Sequence, residues 1–225
     1  MSIAPKRSNI YLDNTASTLM SLQVKNEMVK AMELYGNPSS FNDAGRVARK
    51  KLDESRSTIA HFLGSRPEEI IFTSSGSEAN NLALFGLAEA YPDKNEIITS
   101  PIEHPSVLGP LKVLESRGFK VRFVKVNQEG LIDIEDLKNK ITDKTLLVSI
   151  MYANNEIGTI QPIVKVSKII KEFRKSKLEI GNWKLEIDEK MYPFFHVDAC
   201  QATEYLDMNI NNLGVDLLTF NGSKI

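Results

Sequence analysis

One run constrains the fold of this chain of 225 residues more than any other. From Leu146 to Met151 the sequence is nearly all apolar. Such a run suits a strand covered on both faces, in the middle of a parallel sheet. Around it the hydrophobic period alternates between strand and helix. Glu69–Phe72, Glu96–Thr99, Lys120–Val126, Phe194–Val197 and Asp216–Phe220 read as strands, and Ile10–Leu12 as a brief strand or an extended arm. Helical spacing appears in four places: from Leu22 to Met32 behind a Ser21 cap, from Phe41 to Phe62 up to Gly64, from Ala79 to Ala90, and from His104-Pro105 to about Glu115. A fifth helix covers Ile163 to Phe173, with Pro162 suited to its first turn. Strands alternating with helices predict an α/β fold with three layers and a mostly parallel sheet. Lys175–Met191 breaks the rhythm: it is charge-dense, is interrupted by Gly181 and Asn182, and reads as a surface hairpin.

Composition narrows the function classes. Apolar residues make up 42% and charged residues 25%, as in an ordinary globular chain. With 28 basic and 29 acidic residues the net charge is −1, which argues against a general nucleic-acid binder. The single cysteine, Cys200, excludes an internal disulfide and an all-cysteine metal centre. No run approaches the roughly 20 apolar residues of a membrane span. Met1–Asn9 lacks the apolar core of a secretory signal, so cytoplasm is the expectation.

Polar residues collect where the expected strands end, the place where α/β sheets bind ligands. Ser75-Gly76-Ser77 precedes a helix, and Ser75 to Glu78 matches the S-x-x-E capping box. This is an anion site made of free N–H groups, or simply a capped turn. His104 follows a strand and reads as an aromatic plate, an acid/base group or an ordinary loop histidine. Asn154-Asn155-Glu156-Ile157-Gly158 offers directed amides or an Asx turn. Asp198 ends an apolar strand, where a carboxylate needs a partner, and one helical turn would bring Gln201 beside it. His196 shares that strand face, as a structural residue or as part of a metal site. No third ligand accompanies it, so no metal is expected. Lys224 sits at a further strand exit, as a solvated lysine or as a Schiff-base former. Anion cradle, carboxylate, ring plate and lysine together are what pyridoxal phosphate requires.

Ordered along the chain, these residues resemble a known family. Tyr11-Leu12-Asp13-Asn14-Thr15-Ala16, Gly36-Asn37-Pro38-Ser39-Ser40, Phe72 to Asn81, Glu103-His104, Asn154 to Gly158 with Gln161-Pro162, His196 to Gln201, and Gly222-Ser223-Lys224-Ile225 are similar to the cysteine desulfurases of the class V aminotransferase superfamily, the iron–sulfur assembly type. The resemblance implies the large domain of a fold type I transferase over 1–225, cut just after the Schiff-base lysine, with the small C-terminal domain absent and 175–191 a surface insertion. It implies pyridoxal 5'-phosphate as cofactor and L-cysteine as substrate, with alanine leaving and sulfur passed on as a persulfide. By resemblance, His104 stacks on the ring and shuttles protons, Asp198 pairs with the ring nitrogen, and Gln201 bonds the phenolic oxygen. Asn155 lies near the substrate carboxylate. Gly76, Ser77 and Ser223 hold the phosphate, and Lys224 carries the Schiff base. A homodimer, a sulfur-acceptor or scaffold protein, and neither nucleic acid nor membrane are the implied associations.

Asn221 and Ser223 stand where the family often has serine and histidine. Cys200 lies away from the family's nucleophile position and reads as a small buried core cysteine. The alternatives are another class V enzyme such as a selenocysteine lyase, or a truncated, catalytically incompetent partner. A nicotinamide-binding domain would want a G-x-G-x-x-G turn, which Ser74-Ser75-Gly76-Ser77 is not.

Overall fold

The computed structural model describes residues 10–178 and 192–225. Five strands, β1 (Glu96–Thr99), β2 (Lys120–Phe123), β3 (Thr145–Ser149), β4 (Phe194–Asp198) and β5 (Leu217–Thr219), form one sheet in the order β2-β1-β3-β4-β5. Every pairing is parallel. The chain steps from β1 outward to β2, then returns across β1 to β3, so the order reverses between β1 and β3. All strand C-termini therefore open on one edge, with a switch point inside it.

Alternate residues of the central strands feed two cores. Ile97 and Leu147 pack with Leu84 and Ala88 of α3 (Gly76–Ala90) and with Val107, Leu111 and Leu114 of α4 (Pro105–Ser116). Ile98, Val148, Phe195 and Val197 pack with Leu137 of α5 (Ile134–Lys140), Val166 and Ile170 of α6 (Ile163–Leu178), and Leu213 of α7 (Ile210–Leu213). Leu63, at the end of α2 (Asp43–Leu63), joins this second core. These are the three expected layers. The run from Leu146 to Met151 is buried throughout, as a strand covered on both faces must be. Helix α1 (Leu22–Met32) has the expected Ser21 cap but buries none of its residues.

Several expectations need correction. Glu69–Phe72 is not a strand. Pro67 starts a 3-10 turn over Pro67–Glu69, closed by Arg66 N–H donating to Glu69 Oε2 at 2.8 Å. The Ile70 carbonyl, which a ladder would use, accepts from the Arg56 guanidinium instead. Of the two readings of Ile10–Leu12, the extended arm holds: the segment is exposed and forms no ladder. The strand expected over Lys120–Val126 ends at Phe123, and Val126 turns back to bridge Ile132. The expected hairpin over 175–191 begins inside α6, whose helix continues to Leu178, and the rest of it lies outside the described residues.

Candidate active site

A cavity of ≈ 430 Å³ lies at the C-terminal edge of the sheet. Gly76, Ser77, His104, Asn155, Asp198, Gln201 and Lys224 all line it. So do residues that sequence reading did not single out for the site, among them Thr15, Ser106, Met151 and Asn221.

Each wall follows from local chemistry. Ser75 caps α3 by accepting from Glu78 N–H at 3.2 Å. The Glu78 carboxylate does not complete a reciprocal box; it accepts from the N–H and hydroxyl of Ser74 at 2.5 and 2.6 Å. The turn is thus held from outside, and the helix N-terminus faces the cavity through Gly76 and Ser77. Gly76 is buried against Cys200: a Cβ there would sit 2.8 Å from Cys200 Sγ. Glycine thus lets the start of α3 pack against the Cys200 side chain on the cavity wall.

Asp198 closes β4 and is 6% exposed. Its Oδ2 accepts from Asn80 Nδ2 at 2.7 Å and its Oδ1 from Cys200 N–H at 3.0 Å. One donor on each oxygen fits a carboxylate. Behind it lies a buried polar chain. Thr219 donates to Asn80 Oδ1 at 2.6 Å, His196 Nε2 meets Thr219 at 3.2 Å, and Ser149 meets His196 Nδ1 at 2.9 Å. Burial pulls the His196 pKa down to about 4, so this ring is neutral at pH 7. Both His196 ring nitrogens are taken up inside the protein, by Ser149 and Thr219, and among the described residues no group of three or more His, Cys, Asp or Glu could hold a metal.

His104 caps α4 through its own ring. Nδ1 accepts from Ser106 N–H at 3.1 Å and meets Ser106 Oγ at 2.7 Å. The adjacent Glu103 points the other way. It is 5% exposed, with Oε1 accepting from Ser100 Oγ at 2.6 Å and Met151 N–H at 2.9 Å, while Oε2 is buried without a partner. Burial, reinforced by the Asp198 charge, raises its pKa to about 8.

Asn154 and Asn155 divide the labour. Asn154 builds the turn, its Oδ1 accepting from the N–H groups of Glu156 and Ile157 at 2.8 and 3.0 Å. Asn155 is left to line the cavity. The Gly222–Lys224 turn after β5 carries Lys224, whose Nζ donates to Gln201 Oε1 at 3.0 Å. Ser223 is exposed and outside the cavity lining, with its N–H on Asn221 Oδ1 at 3.0 Å and its carbonyl accepting from Thr18 N–H at 3.3 Å. Cys200 is not buried in the core as expected. It stands half-buried on the cavity wall, where burial and then Asp198 push its thiol pKa well up. A thiol so held is a poor nucleophile.

Sheet, switch point and strand-end cavity together define an α/β protein of the kind that can seat a ligand at its strand C-termini. The aminotransferase class-V family profile matches residues 10–180, and the chain belongs to that family. A cysteine desulfurase IscS of Dictyoglomus turgidum is 41% identical over 220 residues, 97% of this chain and 51% of that protein. A putative cysteine desulfurase IscS 1 of Bacillus subtilis is 38% identical over 218 residues, 96% of this chain and 53% of its own length. The chain thus spans about half the length of the curated relatives it matches. Among solved structures, a NifS-like protein superimposes with a TM-score of 0.87 at 37% identity, over 96% of this chain and 56% of that one. A structure described as SspA in complex with cysteine gives 0.84 at 33% identity, over 96% and 57%.

Proposed function

We propose that this chain forms the cofactor-binding part of a pyridoxal-phosphate-dependent cysteine desulfurase, converting L-cysteine to L-alanine and passing its sulfur on for iron–sulfur or other sulfur biosynthesis. One observation carries the reading: the N-terminus of α3, the Asp198 carboxylate and the Lys224 amine open onto one cavity. The donor set fits the cofactor. Gly76 leaves room for a phosphate at the helix end, where N–H groups and dipole favour an anion. Ser77 adds a hydroxyl there; Ser223, expected to add another, is exposed and outside the cavity lining and is not assigned to the phosphate. Asp198, with one donor on each oxygen, can accept from a protonated ring nitrogen. His104 offers a flat ring from the start of α4. Gln201, already bonded to Lys224 Nζ, has its amide N–H groups for a phenolic oxygen. Asn155 is placed for the substrate carboxylate. Bound there, the cofactor would supply an electron sink for the carbanion formed at the substrate Cα.

Lys224 then has two tasks, holding the cofactor and, once released, moving the α-proton. Cys200 is not assigned the attack on sulfur, because burial and Asp198 hold its thiol protonated and a thiol is a weaker nucleophile than a thiolate. A homodimer, a sulfur-acceptor or scaffold protein and a cytoplasmic setting complete the proposal. The desulfurase names of the relatives support the need for a sulfur acceptor.

Absorption spectroscopy tests the reading. The chain mixed with pyridoxal phosphate should develop the band of a lysine-bound cofactor, and Lys224→Ala should lose it. No band from the folded chain would sink the proposal. Where the loaded protein releases sulfide and alanine from L-cysteine, Asp198→Asn should lower turnover about a hundredfold or more, the scale of one preorganised electrostatic contact.

A further inference from the structure

Asn80 is fully buried in the middle of α3, yet its amide touches Asp198 directly and reaches His104 through Ser106. Nδ2 lies 2.7 Å from Asp198 Oδ2 and 2.9 Å from Ser106 Oγ, and Ser106 Oγ lies 2.7 Å from His104 Nδ1. Proton direction along this chain can be deduced. A carboxylate only accepts, so the amide must turn its NH₂ toward Asp198. Its Oδ1 then faces Thr219, whose hydroxyl must donate to it. The Thr219 oxygen accordingly accepts from His196 Nε2–H, and His196 Nδ1 accepts from the Ser149 hydroxyl. On the other branch the second N–H of Asn80 goes to the Ser106 oxygen. The Ser106 backbone N–H, 3.1 Å from His104 Nδ1, requires a lone pair on that nitrogen, so the Ser106 hydroxyl, whose oxygen already accepts from Asn80, donates its proton to the same atom.

We infer that Asn80 is a positioning residue which, through Ser106, fixes neutral His104 as the Nε2–H tautomer while it holds Asp198 in place. Every donor from Ser149 onward points toward the cavity. The inference rests on the proposed use of His104 and Asp198, and it sharpens that use. Among the described residues Nε2 of His104 has no hydrogen-bond partner, and in this tautomer it carries the proton. His104 then presents a hydrogen-bond donor to the cavity and has no lone pair there to take a proton. Proton abstraction falls to the Lys224 amine, and His104 steadies developing negative charge on the substrate.

The chain has only three histidines, so nitrogen-15 NMR can read the tautomers directly, with His104 assigned by its loss in His104→Gln. The measurement uses the chain without cofactor. A failure of the proposed function would show in the absorption experiment, and a failure of the network here. With its ring uncharged, His104 should show a protonated Nε2 and an unprotonated Nδ1. One hydrogen bond is worth about a factor of ten in such a ratio, so Ser106→Ala and the near-isosteric Asn80→Leu should each reduce the preference by about that much. The His61 signal should stay put in both. A proton on Nδ1 in the unsubstituted chain would overturn the inference. So would an unchanged His104 signal in Ser106→Ala, or a change there with none in Asn80→Leu. Should Asn80→Leu not fold, Asn80→Ala takes its place and must reduce the preference in the same direction, an unchanged signal there overturning the inference.

Discussion

Glu103 shows how burial writes itself into pH dependence at the scale of one residue. Its carboxyl ionises near 4.5 when free and at about 8 in the fold. Between those values the folded chain holds a proton that the unfolded chain has lost. Stability therefore falls as pH rises through that window, by up to about 1.4 kcal/mol per pH unit. His196 works with the opposite sign: lowered to about 4 from 6.5, it takes a proton on unfolding, so stability is lost as pH falls below 6.5. The two oppose each other at acid pH, and of the pair only Glu103 acts above 6.5. Urea midpoints at pH 6.5 and 8 should fall for the unsubstituted chain and hold steady in Glu103→Gln; an equal fall in both would refute the assignment. Gly76 supplies a steric counterpart. In Gly76→Ala the new methyl meets Cys200 Sγ at 2.8 Å, and overpacking of this kind costs about 1–3 kcal/mol. Removing the sulfur in the double variant with Cys200→Ala should restore most of that loss, as a double-mutant cycle in thermal unfolding would show. The place of Lys224 after a strand was readable from the sequence. The contacts of Asn80 were not, because a polar residue inside a helical pattern gives no local sign of its partners.

At the scale of elements, caps and breakers did what their chemistry dictates. Gly64 ends α2 in the left-handed region at φ 69°, and a Cβ there would sit 2.6 Å from Asn209 Nδ2. Gly64→Ala should therefore destabilise the chain by about 1–3 kcal/mol, the cost of a non-glycine residue in such a position, measured by chemical denaturation. A change within a few tenths would show that the α2 end relaxes freely. Ser21, Ser75 and Pro162 likewise act as their positions suggested: the first two accept from Val24 N–H and Glu78 N–H, and Pro162 directly precedes α6. Glu69–Phe72 failed as a strand because a short apolar run says nothing about the ladder it would join. Pro67 closed a turn and Arg56 took the Ile70 carbonyl, leaving Ile71 and Phe72 exposed.

Over the whole molecule the two cores are unequal to the apolar sequence. Helix α1 keeps Leu22, Val29 and Met32 exposed at 71%, 61% and 81%, and Phe41 is 93% exposed. A helix that buries nothing opens at little cost. Limited proteolysis read by mass spectrometry should cut between residues 20 and 41 well before it reaches the sheet. First cuts within β1 to β4 would contradict this. The sequence by itself determined the three-layer architecture, since period, capping and breaker chemistry act over a few residues and recur in order. It also placed Asp198, His104 and Lys224 at strand ends. Only the tertiary structure decided what those groups touch. Asn80 meets Asp198 across 118 residues and Thr219 across 139, and Glu103 is sealed beneath Met151. The partner of a buried polar group is fixed by which elements pack side by side, and no local pattern encodes that.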